Sequence, residues 1–537
     1  MVERERLLER LKADRFDLLI IGGGATGCGI ALDAAARGLQ VALVEREDIG
    51  SGTSSRSTKL IHGGVRYLEL AFKRLDRVQY RLVRDALRER SILLRIAPHL
   101  THWLPLFTPL YRSYQLPYYW TGLKLYDALA GTAGGIPSRF VSSRAARARF
   151  PQIKTEGLRG GVLYRDGQFD DARMNVSLAL TAIDQGAAVA NYVEVVGLVQ
   201  REGRIVGATV QDRVSGAGWE IESRVVINAS GPWSDRVRRL EDASAEPILQ
   251  VSSGAHIVVD GTFSMPETGL LIPTTEDGRV LFVLPWLGQT LIGTTDEAAS
   301  PDAPPIAGDM AIEYLVRHAN RYLSRRLERS DIKAAWAGLR PLIRDPRATD
   351  TAGLARDHVI VEGPGGMITI GGGKWTTYRK MAQDVVDYAI RRANLSPAAP
   401  CRTASLPLIG AEGFDPAGAT QMGTRNALDA DVTQHLLRAY GNRADQVADL
   451  LIEVGSARLA TRYPFLEAEV VWAARQELAQ TALDVLARRT RLAFLDQAAA
   501  KAALPRVVEL LAAELDWDSE RQRREVAEAL KTLERGL

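Results

Sequence analysis

The chain has 537 residues, of which 46% are hydrophobic and 25% are charged, as in a globular protein with two or three domains. Its 68 basic and 65 acidic residues leave a net charge of +3, which argues against a nucleic-acid-binding protein. Cys28 and Cys401 are its only cysteines, so we expect neither disulfides nor a metal site, and the composition favours a reducing cytoplasm. The charged N-terminus lacks the apolar core of a signal peptide, and no run of about 18 apolar residues is present, so we expect no membrane-spanning helix.

The first predicted elements form a dinucleotide-binding unit. A short apolar run predicts a strand, "GGGATGCGIALDAAARG" predicts a tight turn and an Ala-rich helix that ends at Gly38, and "VALVE" predicts the next strand. Gly22, Gly24 and Gly27 have the G-x-G-x-x-G spacing, and Glu45 ends the second strand, as a Rossmann unit requires. These glycines let the backbone approach a pyrophosphate at the helix N-terminus, and Glu45 can accept hydrogen bonds from ribose hydroxyls. The motif suits NAD or FAD and does not separate them.

The middle of the chain alternates between predicted helices and short strands. A helix is predicted from about 73 to 96, whereas the aromatic and Pro-rich segment "LPLFTPLYRSYQLPYYWTGLKLYDAL" predicts loops and short helices. Short β-rich runs from about 187 to 230 predict hairpins that lead back to a buried strand. The strings "HIVVD", "RVLFVLPW", "TLIGTTD", "HVIVE" and "MITIGG" predict further strands, with helices near 309–327 and 376–393.

The pattern becomes almost wholly helical after "NLSPAAPCRT", where we predict a domain boundary. Pro505 predicts a break within this helical region. We find no internal repeat and no low-complexity tail.

Several longer strings together resemble one known family, the FAD-dependent, membrane-associated glycerol-3-phosphate dehydrogenases of the glycine-oxidase-like flavoprotein group. The strings, in family order, include "IIGGGATGCGIALDAAARGL", "TSSRSTKLIHGGVRYLE", "YRDGQFDDARM", "VVINASGPWSD", "GAHIVV", "GLRPL", "RDHVI", "GGGKWTTYRKMA" and, in the tail, "DVLARRTRLAFLD". The resemblance covers nearly the whole chain. It implies oxidation of sn-glycerol 3-phosphate to dihydroxyacetone phosphate, with electrons passing through FAD to a membrane quinone.

The same resemblance implies an α/β fold with three domains. They are a Rossmann-type, glycine-oxidase-like FAD-binding domain, a β-rich substrate domain and an all-helical C-terminal domain. The expected limits are residues 1–75, 155–250 and 335–395 for the FAD-binding domain, 76–154 and 251–334 for the substrate domain, and 404–537 for the helical domain.

The resemblance also assigns residues to the cofactor. Besides the glycine motif and Glu45, the side chains of the second string would line the cofactor side, and its His-Gly-Gly turn would bring backbone close to the flavin. The glycines of "GGGKWTTY" precede a helix whose amides could stabilise negative charge on the flavin. The cofactor-binding residues expected in this way are Gly22, Gly23, Gly24, Gly27, Glu45, Thr53, Ser54, Ser57, Lys59, His62, Gly63, Gly372, Gly373 and Thr376. A solvated loop with a capping serine is the alternative for the stretch 53–69.

A phosphomonoester carries nearly two negative charges, so its site needs cations, and arginine binds two oxygens at once. By the resemblance, the substrate-binding residues are Arg66, Tyr67, Arg356 and Lys374. His256, in "GAHIVV", is the expected base and substrate orienter, because a hydroxyl proton must leave during the oxidation. Arg340 is the expected stabiliser of the developing alkoxide and a competing candidate for the proton step.

Quinone reduction implies peripheral membrane contact at the inner face of the cell membrane. The candidate surfaces are the basic helix and an aromatic segment, with Arg74, Arg77, Arg81, Arg84, Arg88, Tyr118, Tyr119 and Trp120. Arg488, Arg489 and Arg491 are expected to pair with carboxylates at a domain interface or in a homodimer. Three other classes stay open: a soluble oxidase of the same substrate that uses oxygen, a related FAD oxidoreductase that acts on another small substrate, and a non-catalytic or RNA-associated FAD-binding protein.

Overall fold

The computed structural model describes residues 4–63, 77–112, 114–131, 136–344 and 358–537, with the side chains of all of these except residues 77–79, 116 and 130. Two β-sheets and a helical C-terminal region organise them. Each sheet has its own hydrophobic core, and the C-terminal helices extend the core of the second sheet.

The first sheet carries the dinucleotide-binding unit at its centre. Its strands, in spatial order, are His358–Glu362, Ile368–Gly372, Gly218–Asn228, Phe16–Ile21, Val41–Val44 and Ala188–Ala190. All neighbours are parallel except the first pair, and the hairpin Val193–Arg201 and Arg204–Asp212 extends the strand Gly218–Asn228. The sequence "FDLLII" is apolar almost throughout because both faces of a central parallel strand are covered.

The second sheet is mainly antiparallel. Its strands, in spatial order, are Glu297–Ala298, Leu249–Asp260, Gln289–Gly293, Leu281–Trp286, Gly269–Ile272, Thr101–Leu110, Gly160–Phe169 and Leu60–Ile61. Two more strands pair beside this path: Ile332–Ile343 with Leu249–Asp260, and Arg139–Ser142 with Gly160–Phe169. The strand Gly160–Phe169 thus lies in the second sheet, although the predicted limits place it in the FAD-binding domain; the limits themselves stay a prediction.

The helices cover the faces of both sheets and make up the C-terminal region. Among the described residues, the α-helices are Arg4–Ala13, Ala25–Ala36, Arg77–Ile96, Gln115–Ala130, Ser143–Arg149, Asp171–Asp184, Ser234–Glu241, Asp309–Ala319, Tyr378–Ala393, Gly418–Asn426, Ala430–Tyr440, Ala444–Asp449, Leu451–Val454, Ala468–Gln476, Leu492–Leu495, Gln497–Glu514 and Ser519–Arg535. A π-helical turn, Asp484–Arg489, precedes the last three of these.

Most predicted elements are confirmed, and three predictions are wrong. The aromatic segment predicted as loops and short helices forms a ten-residue strand, Thr101–Leu110, and a sixteen-residue helix, Gln115–Ala130. The strand pairs along its whole length with Gly160–Phe169, so tertiary pairing overrides the local turn signal of the prolines. Pro117 lies in the first helical turn, where its missing N–H costs little. The helix predicted near 309–327 is shorter and ends at Ala319.

Pro505 does not break a helix, because it lies inside Gln497–Glu514. Its own side chain is exposed, while Leu504, Val507 and Val508 are fully or nearly fully buried around it. A proline inside a helix costs about 3 kcal/mol, and burial of three large apolar side chains offsets that amount. Packing of the apolar face therefore decides the local structure here.

The tail arginines pair with carboxylates in the N-terminal half, as predicted for a domain interface. Asp48 accepts two hydrogen bonds from Arg489, at 2.7 and 2.9 Å, and one from Arg488 at 2.5 Å. Arg491 lies 3.3 Å from Asp171, and all of these carboxylates are buried. The C-terminal region is therefore fastened to the loop that follows the strand Val41–Val44.

Candidate active site

The glycine turn brings two pieces of backbone into close contact. Gly22 has a φ of +113°, and a Cβ atom there would lie 2.8 Å from the carbonyl oxygen of Ala229. A Cβ atom on Gly27 would lie 1.8 Å from the carbonyl oxygen of Gly22. The helix can therefore start directly behind the turn at Ala25, with the N–H groups of its first turn at the end of the sheet.

Glu45 holds this turn in place. Its Oε2 accepts a hydrogen bond from the Gly23 N–H at 2.6 Å, and its Oε1 accepts one from the Glu47 N–H at 2.9 Å. Burial raises the pKa of Glu45, although the two backbone N–H groups favour its ionised form. The Glu45 carboxylate thus stabilises the backbone of the glycine turn, and the residue also lines the neighbouring cavity.

A cavity of about 750 Å³ runs from the glycine turn to the last strand of the first sheet. Its wall includes the loop 50–54, the segment Ala229–Trp233 and the glycines after the strand Ile368–Gly372. Eight of the predicted site residues line it: Gly22, Gly24, Glu45, Thr53, Ser54, Gly372, Gly373 and Lys374.

This cavity fits FAD on three counts. Its lining reaches from the glycine turn after the strand Phe16–Ile21 to the glycines after the strand Ile368–Gly372, it begins at a helix N-terminus, and glycines expose the backbone in both of these places. Ser54 completes the phosphate end, because its Oγ accepts a hydrogen bond from the N–H of Ala25 at 2.9 Å. At the other end Gly373 has a φ of +79°, and a Cβ atom there would lie 2.3 Å from the sulfur of Met381.

Two predicted cofactor residues lie behind the cavity wall, which corrects their assignment. The Lys59 ammonium is fully buried, 2.7 Å from Asp171, and it donates to the Ser55 carbonyl. The Ser57 hydroxyl donates to the same carboxylate at 2.7 Å. Burial lowers the pKa of Lys59 to about 7, with Asp171 opposing that shift. Both side chains therefore shape the loop from inside, through a carboxylate that lies more than a hundred residues away in the sequence.

Three other predicted cofactor residues form contacts around the His-Gly turn. Thr376 donates from its hydroxyl to the His62 carbonyl at 3.4 Å. The Gly63 N–H donates to the Tyr126 hydroxyl at 2.9 Å. None of these residues lines the 750 Å³ cavity. The turn is supported by hydrogen bonds with the helix Gln115–Ala130 and with the short turn that follows the strand Ile368–Gly372.

His256 and Arg340 lie together on one face of the second sheet. Gly254 and Gly293 make room for them: a Cβ atom on Gly254 would lie 2.1 Å from Nη2 of Arg340, and one on Gly293 would lie 2.1 Å from the His256 ring. His256 stacks on Trp336 at 4.1 Å, and its Nε2 lies 3.0 Å from the Thr58 hydroxyl.

The charge states of the pair follow from these surroundings. Burial, together with Lys59 and Arg340, lowers the pKa of His256 well below its usual value, so its imidazole is neutral at physiological pH. Arg340 donates to the Thr294 hydroxyl and the Thr295 carbonyl, both at 3.0 Å, and lies 3.2 Å from Asp296. Neither side chain lines the 750 Å³ cavity.

Arg66, Tyr67 and Arg356 lie outside the described residues, so their assignments stay predictions. Two residues that sequence reasoning missed are Arg56, which lines the cavity, and Asp171, which binds Lys59. Both residues lie in sequence strings on which the family resemblance rests. The resemblance pointed to these segments, but it did not give the role of each residue in them.

The chain is similar to known proteins along nearly its whole length. A family model described as FAD dependent oxidoreductase matches residues 17–379, and one described as C-terminal domain of alpha-glycerophosphate oxidase matches residues 401–522. The mitochondrial glycerol-3-phosphate dehydrogenase of Mus musculus is 47% identical over 545 residues, which is 99% of this chain and 75% of that protein. The mitochondrial enzyme of Arabidopsis thaliana is 45% identical, over 99% of this chain and 88% of that protein.

Solved structures give the same picture. The X-ray structure of the glycerol-3-phosphate dehydrogenase from Bacillus halodurans, complexed with FAD, has a TM-score of 0.81 and 31% identity, and the match covers 99% of this chain and 97% of that one. The L-alpha-glycerophosphate oxidase from Mycoplasma pneumoniae, with FAD bound, has a TM-score of 0.55 and 18% identity over 73% of this chain. At that identity the second match speaks for the fold alone.

Proposed function

Because the chain belongs to the FAD-dependent glycerol-3-phosphate dehydrogenase family, we propose that it oxidises sn-glycerol 3-phosphate to dihydroxyacetone phosphate and passes the electrons to a membrane quinone. The observation that carries this proposal is the match over 99% of the chain to a mitochondrial glycerol-3-phosphate dehydrogenase. A cavity with a phosphate-binding helix end and a cation, Lys374, in its wall supports it.

FAD, when bound, supplies a hydride acceptor. The remaining tasks fall to side chains of this chain. Lys374, with Arg66, Tyr67 and Arg356, binds the phosphate group of the substrate. His256 accepts the hydroxyl proton, because its neutral ring keeps a nitrogen lone pair available. The Arg340 guanidinium lies on the same sheet face and stabilises negative charge on the substrate oxygen.

The acceptor is tested with the purified protein and glycerol 3-phosphate, once with a quinone analogue without oxygen and once with oxygen alone. We expect turnover with the quinone analogue and little peroxide in air. Full turnover with peroxide and no quinone would make the protein an oxidase of the same substrate. No turnover under either condition would favour a non-catalytic FAD-binding protein.

Arg340→Ala is expected to lower kcat/KM for glycerol 3-phosphate by about 100-fold or more, because a developing oxyanion loses its charged donor. Arg340→Lys should recover part of this activity, since it keeps the charge and loses only the second donor. Steady-state kinetics at saturating acceptor measure both. Asp296 keeps Arg279 as a partner at 3.6 Å, so the variant should stay folded.

The matched control is Arg329→Ala, which removes an exposed arginine paired with Asp309 on the surface. It should leave kcat/KM and FAD content unchanged. Equal activity of Arg340→Ala and Arg329→Ala would remove Arg340 from the catalytic site.

Peripheral membrane binding completes the proposal, and it places the protein at the inner face of the cell membrane. None of the helices in the described ranges is long and apolar enough to cross a bilayer. The helix Gln115–Ala130 instead exposes Tyr118 and Trp120, at 45% and 36%. The neighbouring helix Arg77–Ile96 exposes Arg81, Arg84 and Arg88 on one side. Aromatic side chains beside a basic face suit an anionic lipid surface.

Co-sedimentation with lipid vesicles tests this surface. We expect the protein to sediment with anionic vesicles and much less with zwitterionic ones, and the double variant Tyr118→Ala/Trp120→Ala to lose most of that binding. Ile452→Ser is the control, because Ile452 is 93% exposed and belongs to the helical C-terminal region. An equal loss in both variants would contradict the proposed surface.

A further inference from the structure

Arg56 reaches the FAD cavity from the loop that follows the second strand. It lines the 750 Å³ cavity together with Ser54 and Leu339. Its Nη1 donates to the Ala337 carbonyl at 3.1 Å, and its guanidinium lies 5.9 Å from the centre of the Phe494 ring. The backbone of Gly338 admits the side chain, since a Cβ atom there would lie 2.9 Å from the Cβ of Arg56. The Arg56 side chain is therefore held in place by contacts with the strand Ile332–Ile343 and with Phe494 of the C-terminal region.

Only one of the five N–H donors of this guanidinium has a hydrogen-bond partner among the described residues. Within the same residues, Arg56 forms no ion pair with a carboxylate. The other N–H donors of Arg56 are accessible, since no nitrogen of this side chain is both buried and without a hydrogen-bond partner. They face the cavity.

The acid whose charge acts on Arg56 is Glu47, which lies 3.5 Å from Arg213, and no ion pair joins Glu47 to Arg56 in the described residues. Asp48 and Asp171 are bound to other cations: Asp48 accepts hydrogen bonds from Arg488 and Arg489, and Asp171 pairs with Lys59 and Arg491. Burial lowers the pKa of Arg56 to about 10, and the positive charges of Arg488 and Arg491 act in the same direction. The side chain is still charged at neutral pH, and the donors of this cation that lack a protein partner are available to an anionic ligand in the cavity.

We propose that Arg56 binds a phosphate group of a ligand in this cavity. Two such groups are available if the proposed function, on which this inference rests, is correct: the pyrophosphate of FAD and the phosphomonoester of the substrate. Both present paired anionic oxygens to a planar guanidinium fork. The structure favours a phosphate over a carboxylate partner because the same loop, through Ser54, also meets the first amide of the phosphate-binding helix.

The test compares the wild type with Arg56→Met, which keeps the length and loses the charge, and with Arg56→Lys, which keeps the charge. One arm measures FAD release from the holoenzyme on dilution, by flavin fluorescence. The other titrates the FAD-loaded protein with inorganic phosphate and follows the flavin absorption spectrum. Arg425→Met is the control, because Arg425 pairs with Asp445 on the exposed surface of the C-terminal region.

We expect Arg56→Met to weaken one of the two ligands by about tenfold or more, which is the loss of a hydrogen bond to a charged group. Arg56→Lys should recover part of it. A change in FAD release assigns Arg56 to the cofactor, and a change in the phosphate titration assigns it to the substrate. The proposal is overturned if FAD release and phosphate affinity of Arg56→Met both stay within twofold of the wild type. It is also overturned if the wild type binds no phosphate and Arg56→Met releases FAD at the wild-type rate. Neither arm uses glycerol 3-phosphate, so a failed turnover assay would count against the proposed function alone.

Discussion

Gly27→Ala is expected to yield protein without bound FAD. The added methyl group would lie 1.8 Å from the carbonyl oxygen of Gly22, and backbone atoms cannot swing aside as a side chain does. The helix Ala25–Ala36 must therefore move back, and its first amides move away from the glycine-turn end of the cavity. We expect FAD affinity to fall by about 100-fold or more, or about 2.7 kcal/mol. Flavin absorbance per mole of purified protein, with and without added FAD, measures it.

Gly122→Ala is the matched control for this substitution. Gly122 lies in the helix Gln115–Ala130, and a Cβ atom there meets nothing within 4 Å. This variant should retain FAD fully and be stabilised slightly, because alanine is a better helix former than glycine. Full flavin occupancy in Gly27→Ala would show that the helix can shift without loss of the pyrophosphate site, and it would contradict the role given to this glycine.

Asp48→Ala is expected to destabilise the fold by about 3–5 kcal/mol, because it leaves the buried Arg489 and Arg488 without their shared carboxylate. All three side chains meet at the junction of the nucleotide-binding loop and the C-terminal region, and Asp48 and Arg489 are fully buried. Urea unfolding of the holoenzyme, followed by tryptophan fluorescence, measures the shift in midpoint. The control is Asp445→Ala, in which an exposed pair with Arg425 is lost at a cost of about 0–1 kcal/mol.

The same ion pairs give a pH dependence with a defined sign. Burial opposes ionisation of Asp48, but Arg489 and Arg488 outweigh it and lower its pKa to about 2, from 3.8. A carboxylate whose pKa is lowered in the folded state contributes its full stabilisation to the free energy of unfolding above its unfolded pKa. This stabilisation is lost as the pH falls towards the folded pKa. The difference in stability between wild type and Asp48→Ala should therefore be constant above about pH 5 and shrink from about pH 4 towards pH 2. A constant difference down to pH 2 would contradict the ion pairs.

Local patterns in the sequence predicted the nucleotide-binding unit, because its glycine spacing, strand and acidic residue all lie within thirty residues. Sequence reasoning failed where distant residues decide the structure. The strand Thr101–Leu110 is fixed by pairing with Gly160–Phe169, and the prolines in it gave the opposite local signal. Lys59 resembled a cofactor ligand, but Asp171, 112 residues later, draws it into the core.

The candidate site shows the same division. Gly22, Gly24 and Glu45 were predicted as cofactor-binding residues from the local motif, and they line the cavity; their contact with the cofactor stays a prediction. Arg56 was missed, because its place in the cavity wall depends on contacts with Ala337 and Phe494, which lie 281 or more residues away in the sequence. Contacts across a folded interface cannot be read from spacing along the chain.

The ion pairs and hydrogen bonds between the C-terminal region and the loop 48–59 limit how far the chain can be shortened. A chain cut near residue 400 would retain every residue that lines the FAD cavity. It would nevertheless deprive Asp48 of Arg488 and Arg489, and it would take Arg491 away from the Ser55 carbonyl, which it contacts at 2.7 Å. The helical tail thus holds the loop 48–59, part of which lines the flavin cavity, and an independently expressed nucleotide-binding fragment is a poor starting point for screening or engineering.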